Sequence, residues 1–268
     1  MGFEEKRPLG ATGLRVGPLG LAASYGAPAK AFEMAFERGC NYFYWGSMRK
    51  SGMRDAIRHI CGNGKREAIV LVIQSYSRSA SLMESFAHSA LKTLGQDHAD
   101  VLLLGWYNRR PSHRILERAA AMKEKGMVRF LGLSGHNRGL FPELAGLGLF
   151  DLFHVRYNAA HRGAEKEIFP HIRGESRPGL VSYTATRWGH LLKKKRMPPN
   201  EAPPPASHCY RFVLSNPSVD VCVTGPKDTR QMEEALRTLD LGPLSPEEMT
   251  RMIRIGDHVH AHGGTFFW

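Results

Sequence analysis

Short apolar runs alternate along the chain with longer stretches whose apolar residues recur at helical spacing. Most of the short runs are continuously apolar, which is typical of strands in a parallel sheet that is buried on both faces. We predict strands at residues 16–22, 41–45, 69–75, 100–104, 130–134, 152–157, 180–183 and 219–224. We predict helices between and after them at residues 31–38, 53–61, 81–94, 111–125, 140–147, 166–173, 208–214 and 229–239.

The repeating order of these elements predicts the fold. Eight β–α units within about 240 residues give roughly 30 residues each, the size of one parallel strand with its crossover helix. An open doubly wound sheet usually has only about five or six strands, so the pattern favours a closed (β/α)8 TIM barrel. We expect residues 1–268 to form this barrel as one domain.

Two segments lie outside the repeating units. Residues 7–16 carry turn residues between short apolar stretches and predict a small β-hairpin that closes the bottom of the barrel. Residues 191–206 contain the basic run 193–196 followed by five prolines, which predicts an extended basic loop over or beside the C-terminal face of the barrel.

Composition and charge narrow the class of protein. The 268 residues, 42% of them hydrophobic and 23% charged, can bury a full core, which excludes disordered, collagen-like and small disulfide-linked proteins. The net charge of +12 predicts a surface that attracts phosphates, nucleic acid or acidic partners. No apolar run approaches the roughly 18 residues that span a bilayer, so no membrane is expected as a partner. The four cysteines lack metal-ligand spacing and no signal segment is evident, so we expect a cytoplasmic protein.

Active sites of such barrels are built at the C-terminal ends of the strands, so the candidate residues follow from the strand predictions. They are residues 44–45, 74–76, 105–107, 134–137, 154–158, 183–184 and 224–227. This set is rich in aromatic, amide and histidine side chains, and it contains no carboxylate.

Several runs resemble, in order and spacing, those of the aldo-keto reductases, which are (β/α)8 barrels that reduce carbonyls with NADPH. The run RPLGATGL at residues 7–14 resembles the family's N-terminal hairpin, and GCNYF at residues 39–43 resembles the entry to its second barrel strand. MVRFLGLS at residues 127–134, the stretch from SNP at residues 215–217 to TG at 224–225, and LSPEE at residues 244–248 resemble later family segments. The resemblance covers nearly the whole chain.

The chain departs from this family at the four residues that carry its chemistry, an Asp, a Tyr, a Lys and a His. At the corresponding positions stand Tyr44, Arg49, Gln74 and Gly105. Loss of a positioned general acid costs about 10²- to 10⁴-fold in rate. The resemblance therefore implies an oxidoreductase with a divergent active site.

The cofactor-binding positions match the family better, and the resemblance implies NADP(H). Ser134 and Tyr183 match residues that hold and stack on the nicotinamide, His154 stands in place of a family Gln, and Gly135 stands in place of an Asn. Thr184 begins the family's pyrophosphate segment. The adenosine-phosphate loop resembles residues 225–234, with Lys227, Arg230, Gln231 and Glu234 as its cofactor-binding candidates.

A second source of support for NADP(H) is electrostatic. Lys227 and Arg230 put two cations beside a predicted helix N-terminus, where backbone N–H groups and the helix dipole already favour a phosphate. This favours NADP(H) over NAD(H).

Four residues are candidates for the chemistry itself. Tyr44 is a candidate proton donor, or an aromatic residue that fills the space of the smaller Asp. His136 is a second candidate, because a histidine beside a flexible glycine has a pKa suited to proton transfer, although a capping role is the alternative. Arg49 and Trp106 are candidates for binding an anionic or aromatic carbonyl substrate, or else a solvated charge and a packing residue at the barrel rim.

Two further patterns have structural alternatives. The basic run at residues 193–196 suggests phosphate binding, but it lacks interleaved aromatic residues, so no specific nucleic acid is expected. The alternating His258, His260 and His262 have a spacing that suits a metal in an extended segment, but without a fourth ligand an incidental tail is favoured and no metal is expected. We therefore expect an NADP(H)-dependent oxidoreductase, or alternatively a non-catalytic barrel that binds a dinucleotide or another anion.

Overall fold

The computed structural model describes Phe3 and residues 5–46 and 49–263. Eight parallel strands form a closed barrel in which the last strand pairs with the first, Cys222 with Leu19. The barrel strands are β3 (Leu19–Ala22), β4 (Tyr42–Trp45), β5 (Val70–Ser75), β6 (Ala99–Leu104), β7 (Val128–Ser134), β8 (Leu152–Arg156), β9 (Gly179–Tyr183) and β10 (Val221–Thr224). The predicted (β/α)8 barrel is confirmed, whereas the extent of a single domain over residues 1–268 stays a prediction.

The first predicted strand, residues 16–22, is divided between two elements. Val16 belongs to a separate strand, and the barrel strand β3 begins at Leu19. The interruption falls at Gly17 and Pro18. A proline has no N–H for a ladder hydrogen bond, and a Cβ on Gly17 would lie 2.2 Å from the carbonyl oxygen of Gly39, so the backbones cross closely here.

Helices follow the strands as the alternation predicts. Within the described residues they are α1 (Ala29–Glu37), α2 (Ser51–Gly62), α3 (Ala80–Leu94), α4 (His113–Glu124), α5 (Leu140–Gly146), α6 (Ala164–Glu167), α7 (Ala206–Leu214), α8 (Thr229–Leu241) and α9 (Pro246–Ala261). The predicted helix at residues 166–173 is wrong in length. Only the short α6 and a 3₁₀ turn at Phe169–His171 form there, because Pro170 interrupts helical hydrogen bonding.

The barrel interior and the helix layer are separate apolar cores. Inward-facing residues alternate along the strands and form a cluster that includes Val72, Leu103, Leu152 and Val181. The outward-facing residues pack with the helices in a much larger cluster. This alternation decides which side chains at the strand ends reach the mouth of the barrel.

The predicted hairpin at the barrel bottom is confirmed. Strands β1 (Arg7–Pro8) and β2 (Arg15–Val16) pair antiparallel, and Leu9 between them is fully buried in the interior cluster. Gly10 has φ +51°, and a Cβ there would lie 2.3 Å from the backbone nitrogen of Gly179. The hairpin therefore caps the N-terminal end of the barrel at a point where only a glycine fits.

The N-terminal end of the barrel also carries a repeated polar contact. Just before or at the start of alternate strands, Asn41, Asp100, Asp151 and Asp220 each accept a hydrogen bond from the backbone N–H of a residue on or before the preceding strand. Because these donors would otherwise end the strands unpaired, the four side chains tie neighbouring strands together.

The basic segment at residues 191–206 is less extended than predicted. Residues His190–Leu192 and Lys194–Arg196 form two 3₁₀ turns, and a further turn follows, where the N–H of Glu201 donates to the carbonyl oxygen of Pro198 at 3.1 Å. Arg196 donates to the carbonyl oxygen of His262 at 3.4 Å, which holds the segment against the end of α9.

The prediction of an extended segment at the C-terminal histidines is wrong, whereas their having no metal-binding role stays a prediction. His258 and His260 lie in α9, where residues two apart project from different sides of the helix. Instead His258 stacks on His262, with ring centroids 4.1 Å apart. Across the described chain no group of three His, Cys, Asp or Glu side chains is arranged to hold a metal ion.

The described residues contain no candidate membrane span and no disulfide. None of the described helices has both the length and the apolar character that crossing a bilayer requires. The cysteines at positions 40, 61, 209 and 222 are free thiols. Burial raises the pKa of Cys40 and of Cys209 to about 12, so these thiols are protonated and unreactive.

Candidate functional site

The C-terminal ends of β4, β5, β8 and β9 bring polar side chains to the mouth of the barrel. Tyr44 packs against the interior cluster, and Gln74 is two residues beyond the inward-facing Val72. His154 and Arg156 follow Leu152 in the same alternation, and Arg156 pairs in register with Tyr183. Side chains in register on neighbouring strands project from the same side of a sheet. These residues therefore share the barrel mouth.

The positions at which the resemblance places the family's catalytic residues are linked here by Gln74. The Tyr44 hydroxyl donates to Oε1 of Gln74, and Arg49 donates to the carbonyl oxygen of Gln74 at 2.8 Å and to that of Gly46 at 3.2 Å. Burial lowers the pKa of Arg49, and its interaction with Tyr44 opposes that effect. A hydroxyl donor, Tyr44, and a guanidinium, Arg49, are thus held together at the positions where the resemblance implies the family's Asp and Tyr.

Two glycines at the mouth are required by close contacts. A Cβ on Gly105 would lie 2.4 Å from Nε2 of Gln74 and 2.7 Å from the Tyr76 ring. A Cβ on Gly135 would lie 1.9 Å from the carbonyl oxygen of Tyr107. Gln74 and Tyr76 therefore leave no room for a side chain at Gly105, where the resemblance implies a His. The Tyr107 backbone leaves no room at Gly135, where it implies an Asn.

His154 lies at the floor of the site. It is 2% exposed, and its Nε2 is 2.7 Å from the hydroxyl of Tyr42, which is fully buried. Burial lowers the pKa of His154 to about 3, so the imidazole is neutral at physiological pH. One imidazole nitrogen is therefore already used by Tyr42, which leaves His154 a single nitrogen for any ligand.

Aromatic rings form one wall of the mouth. The His136 ring lies between those of Trp106 and Tyr183, with centroid separations of 6.1 and 6.5 Å. The Tyr183 hydroxyl donates to the carbonyl oxygen of Gly135 at 3.3 Å, and burial raises its pKa. Tyr183 is therefore a neutral, fixed ring, and His136 is half-buried beside it.

Trp106 occupies an unusual backbone position. Its φ is +60° and its side chain is 44% exposed, although a bulky residue in the left-handed region is strained. It borders a cavity of about 510 Å³ that is also lined by Arg78, Arg109 and Arg110. The structure thus places Trp106 at the rim beside cations and next to His136.

The predicted nicotinamide and pyrophosphate residues are partly engaged by the chain itself. The Ser134 hydroxyl accepts from the backbone N–H of Trp106 at 3.1 Å. The Thr184 hydroxyl donates to the carbonyl oxygen of Tyr183 at 2.7 Å, and Thr184 has φ +59°. Ser134 can still donate its own hydroxyl hydrogen, since the contact with Trp106 uses only an acceptor lone pair.

The predicted adenosine-phosphate residues lie at and near the start of α8. Lys227 and Arg230 are exposed and make no ion pair with the described residues. Asp228 caps the helix by accepting from the N–H of Gln231 at 2.8 Å, and Gln231 accepts from the N–H of Lys227 at 3.1 Å. The cations are available for a phosphate, whereas two of the backbone donors expected to assist them are already used.

Glu234 is one turn further into α8. Its carboxylate accepts from the Ser207 hydroxyl at 2.7 Å and from the Ser207 backbone N–H at 3.2 Å. It therefore joins α8 to the start of α7, and these bonds lower its pKa although burial opposes them.

From the sequence we assigned no role to three residues of the site, although Arg156 lies within the candidate range 154–158. Tyr42 holds His154, Arg156 projects into the mouth, and Arg78 stacks 3.7 Å from the Tyr107 ring centroid while donating to the carbonyl oxygen of Gly105 at 3.2 Å. The period-two alternation from Tyr44 back to Tyr42, and from His154 on to Arg156, is the signal that would have found the first two. No sequence signal marks Arg78, whose contacts cross between loops.

Comparison with solved structures gives the fold relationship. An aldo-keto reductase from Bacillus halodurans, solved in a holo and an apo form, matches 94% of this chain at 18% identity. The TM-score is 0.74 for the holo form, of which 96% is covered, and 0.76 for the apo form, of which 95% is covered. An aldo/keto reductase from Klebsiella pneumoniae, solved in complex with NADP and acetate, matches over 94% of this chain and 96% of its own at 19% identity with TM-score 0.76. The chain has the aldo-keto reductase fold.

Comparison of the sequence alone does not find this similarity. No family model matches the chain, and no curated protein matches it. The structural resemblance to aldo-keto reductases therefore confirms the family likeness of the barrel and its hairpin at the level of the fold.

Proposed function

We propose that this aldo-keto reductase-like barrel is an NADP(H)-dependent oxidoreductase that reduces a carbonyl group at its C-terminal mouth, with Tyr44 as proton donor. The observation that carries the proposal is the linked group of Tyr44, Gln74 and Arg49, which stand where the resemblance implies three of the family's catalytic residues. The solved complex of the Klebsiella protein with NADP supports the choice of cofactor.

The described residues fit an NADP(H) molecule at its two ends. Tyr183 offers a fixed ring for the nicotinamide, and Ser134 offers a hydroxyl hydrogen for its amide. At the other end Lys227 and Arg230 are exposed cations for the adenosine phosphate. When bound, the reduced cofactor supplies a hydride to the carbonyl carbon.

Tyr44 is the donor that the geometry favours for the carbonyl oxygen. Its hydroxyl hydrogen is directed to Oε1 of Gln74 in the free site, so a substrate oxygen would replace that acceptor. The neighbouring Arg49 cation favours the phenolate that remains after proton transfer. Arg49 thus has a role in tuning the donor, in addition to the substrate contact that its charge predicted.

His136 is the second candidate for proton transfer or for positioning the substrate. It lies between Trp106 and Tyr183 at the rim, so a carbonyl substrate that enters along these rings passes its imidazole. We expect His136→Ala to lower turnover without changing NADPH affinity. An unchanged rate would remove His136 from the reaction.

The proposal is tested by NADPH oxidation with a broad panel of aldehydes and ketones. Tyr44→Phe keeps the ring and removes the proton, and we expect it to lower turnover by about 10²- to 10⁴-fold while NADPH affinity stays unchanged. Equal rates in the variant and the wild-type protein would show that Tyr44 is not the donor.

The absence of the family's four residues favours one other function. A barrel that keeps the cofactor positions but lacks the usual acid suits a sensor or partner protein that binds a dinucleotide or another anion. NADPH binding without consumption of any substrate in the panel would support that alternative. Absence of NADPH binding would contradict both functions.

A further inference from the structure

The end of β8 places an arginine directly above the floor of the barrel mouth. Leu152 lies in the interior cluster, and the next inward position is His154, whose imidazole contacts the hydroxyl of the interior Tyr42. Arg156 is the next inward position, and it pairs in register with Tyr183. Two independent strands therefore direct the Arg156 guanidinium into the mouth that Tyr44 and Tyr183 line.

Arg156 is only half-buried, yet its charge is not matched within the described chain. The guanidinium makes no hydrogen bond or ion pair with any described residue. Arginine carries five N–H donors and is rarely removed from water without an acidic partner. By contrast, Arg66 and Arg129 at the opposite end of the barrel both pair with Asp100.

The surroundings of Arg156 add further positive charge. Arg187 is 5% exposed, its hydrogen bond is to the carbonyl oxygen of Val259, and no described carboxylate pairs with it. The charges of Arg156 and Arg187 both act on His161, and together with its burial they lower the pKa of this imidazole to about 3. Like charges gathered in this way are unfavourable unless an anion joins them.

Arg49, which the sequence suggested for an anionic substrate, is less suited to that role. Its guanidinium already donates to the carbonyl oxygens of Gly46 and Gln74. Those two bonds fix it beside Tyr44, at the point where the carbonyl would react. Arg156 makes no such bonds with the described residues, and it lies at the end of β8, whereas Tyr44 is in β4. It can therefore hold a group of the substrate that is remote from the reacting carbonyl.

We infer that Arg156 binds an acidic group of the substrate, so that the site takes carbonyl compounds that also carry a carboxylate or a comparable anion. The inference rests on the proposed function, because it names the substrate class of the same mouth. The acid is held and not transformed. The carbonyl end of the molecule is thereby directed towards Tyr44 across the mouth.

A matched pair of ketones tests the inference. 4-Acetylbenzoate and acetophenone differ by one carboxylate, and their binding can be measured calorimetrically in the presence of NADP⁺, where no reduction occurs. We expect the wild-type protein to bind 4-acetylbenzoate about 10- to 100-fold more tightly than acetophenone, since a hydrogen bond between charged groups has this strength. Arg156→Gln should remove that preference, and Arg156→Lys should keep part of it.

Arg114→Gln is the matched control, since Arg114 is an exposed cation in the first turn of α4, at the same end of the barrel but outside the cavity that Trp106 borders. We expect it to leave the preference for 4-acetylbenzoate unchanged. Retention of the full preference in Arg156→Gln, or its absence in the wild-type protein, would overturn the inference. Loss of NADPH affinity in Arg156→Gln as large as the loss of 4-acetylbenzoate affinity would also overturn it, because Arg156 would then hold the cofactor's diphosphate.

The same experiment separates this inference from the proposed function. If 4-acetylbenzoate binds through Arg156 but NADPH is never oxidised, the substrate site stands and the reductase does not. If both ketones are reduced with equal kcat/KM in the wild-type protein, the reductase stands and the acid site does not.

Discussion

The two ends of the barrel differ in how their charged side chains are paired. At the N-terminal end the buried Asp100 accepts from Arg66, from Arg129 and from the N–H of Leu71, and Asp220 likewise joins Arg177 to the N–H of Leu180. At the C-terminal end the described strand termini present arginine, aromatic and amide side chains without a carboxylate. The arginines that contact Asp100 and Asp220 are thus paired with carboxylates, whereas Arg49 and Arg156 at the mouth have no carboxylate partner among the described residues.

The two ends of the barrel also differ in backbone conformation, because residues with positive φ other than glycine lie in loops at the C-terminal end. Trp106, Thr184, Arg187 and Trp188 have φ between +51° and +60°, and all four lie in loops that follow β6 and β9 at the C-terminal end. Such conformations cost on the order of 1–3 kcal/mol each and persist at functional sites. Barrels of this kind are expected to divide in this way, with stability at the N-terminal end and binding at the C-terminal end.

The largest effect on stability is predicted at the N-terminal end. Asp100→Ala leaves two guanidinium groups and the Leu71 N–H without their acceptor, so we expect a loss of about 3–5 kcal/mol in the free energy of unfolding. Denaturant unfolding measures it. The control is Asp55→Ala, which removes an exposed pair with Arg54 and should leave stability nearly unchanged. Equal losses in the two variants would contradict the contrast between the ends.

A smaller effect is predicted for cofactor choice. Replacing Lys227 and Arg230 together by alanine should weaken NADPH binding by roughly 10- to 100-fold and leave NADH nearly unchanged, because only NADPH carries the additional phosphate. Fluorescence titration with both nucleotides measures the difference. A matched loss for NADH would show that these cations do not read that phosphate.

Per pH unit, the smallest effect is predicted for the titration of His154. The pKa of His154 is about 3 in the folded protein and near its ordinary 6.5 in the unfolded chain. Between pH 3 and pH 6.5 the unfolded chain therefore binds up to one more proton at this residue than the folded protein does. Stability is therefore highest above pH 6.5 and falls as pH is lowered towards 3, by up to about 1.4 kcal/mol per pH unit from this group.

His154→Gln provides the comparison for that pH effect. Glutamine retains a hydrogen-bonding partner for Tyr42 and cannot titrate, so the slope of stability with pH should decrease by up to one proton. His161 also has a pKa of about 3 and keeps its own contribution in both proteins. An identical slope in the variant would show that His154 is not a buried neutral imidazole.

The sequence predicted the fold well because hydrophobic periodicity is a local signal. All eight barrel strands appear where apolar runs were found, and the errors fall at prolines, where Pro18 shortens β3 and Pro170 interrupts a helix. The helical state of His258 and His260 was missed because alternating histidines were considered without the capping box at Ser245 and Glu248 that begins α9.

The candidate site was less predictable, because its contacts join residues far apart in the chain. The alternation along a strand could place Tyr44 at the mouth, but its bond to Gln74 spans 30 residues and depends on strand register. The filling of the space beside Gly135 by the Tyr107 backbone likewise has no local signal. Sequence position alone identified Arg49 as the anion-binding residue, whereas side-chain bonding points to Arg156.

The central inference is that the C-terminal mouth of the barrel binds NADPH and uses it to reduce a carbonyl compound. The most direct measurement adds 4-acetylbenzoate to the protein after fluorescence titration with NADPH and follows the cofactor's absorbance. The account predicts saturable NADPH binding followed by its oxidation, faster in the wild-type protein than in Tyr44→Phe by about 10²-fold or more. Absence of NADPH binding, or bound NADPH that is stable with every carbonyl compound offered, would contradict it.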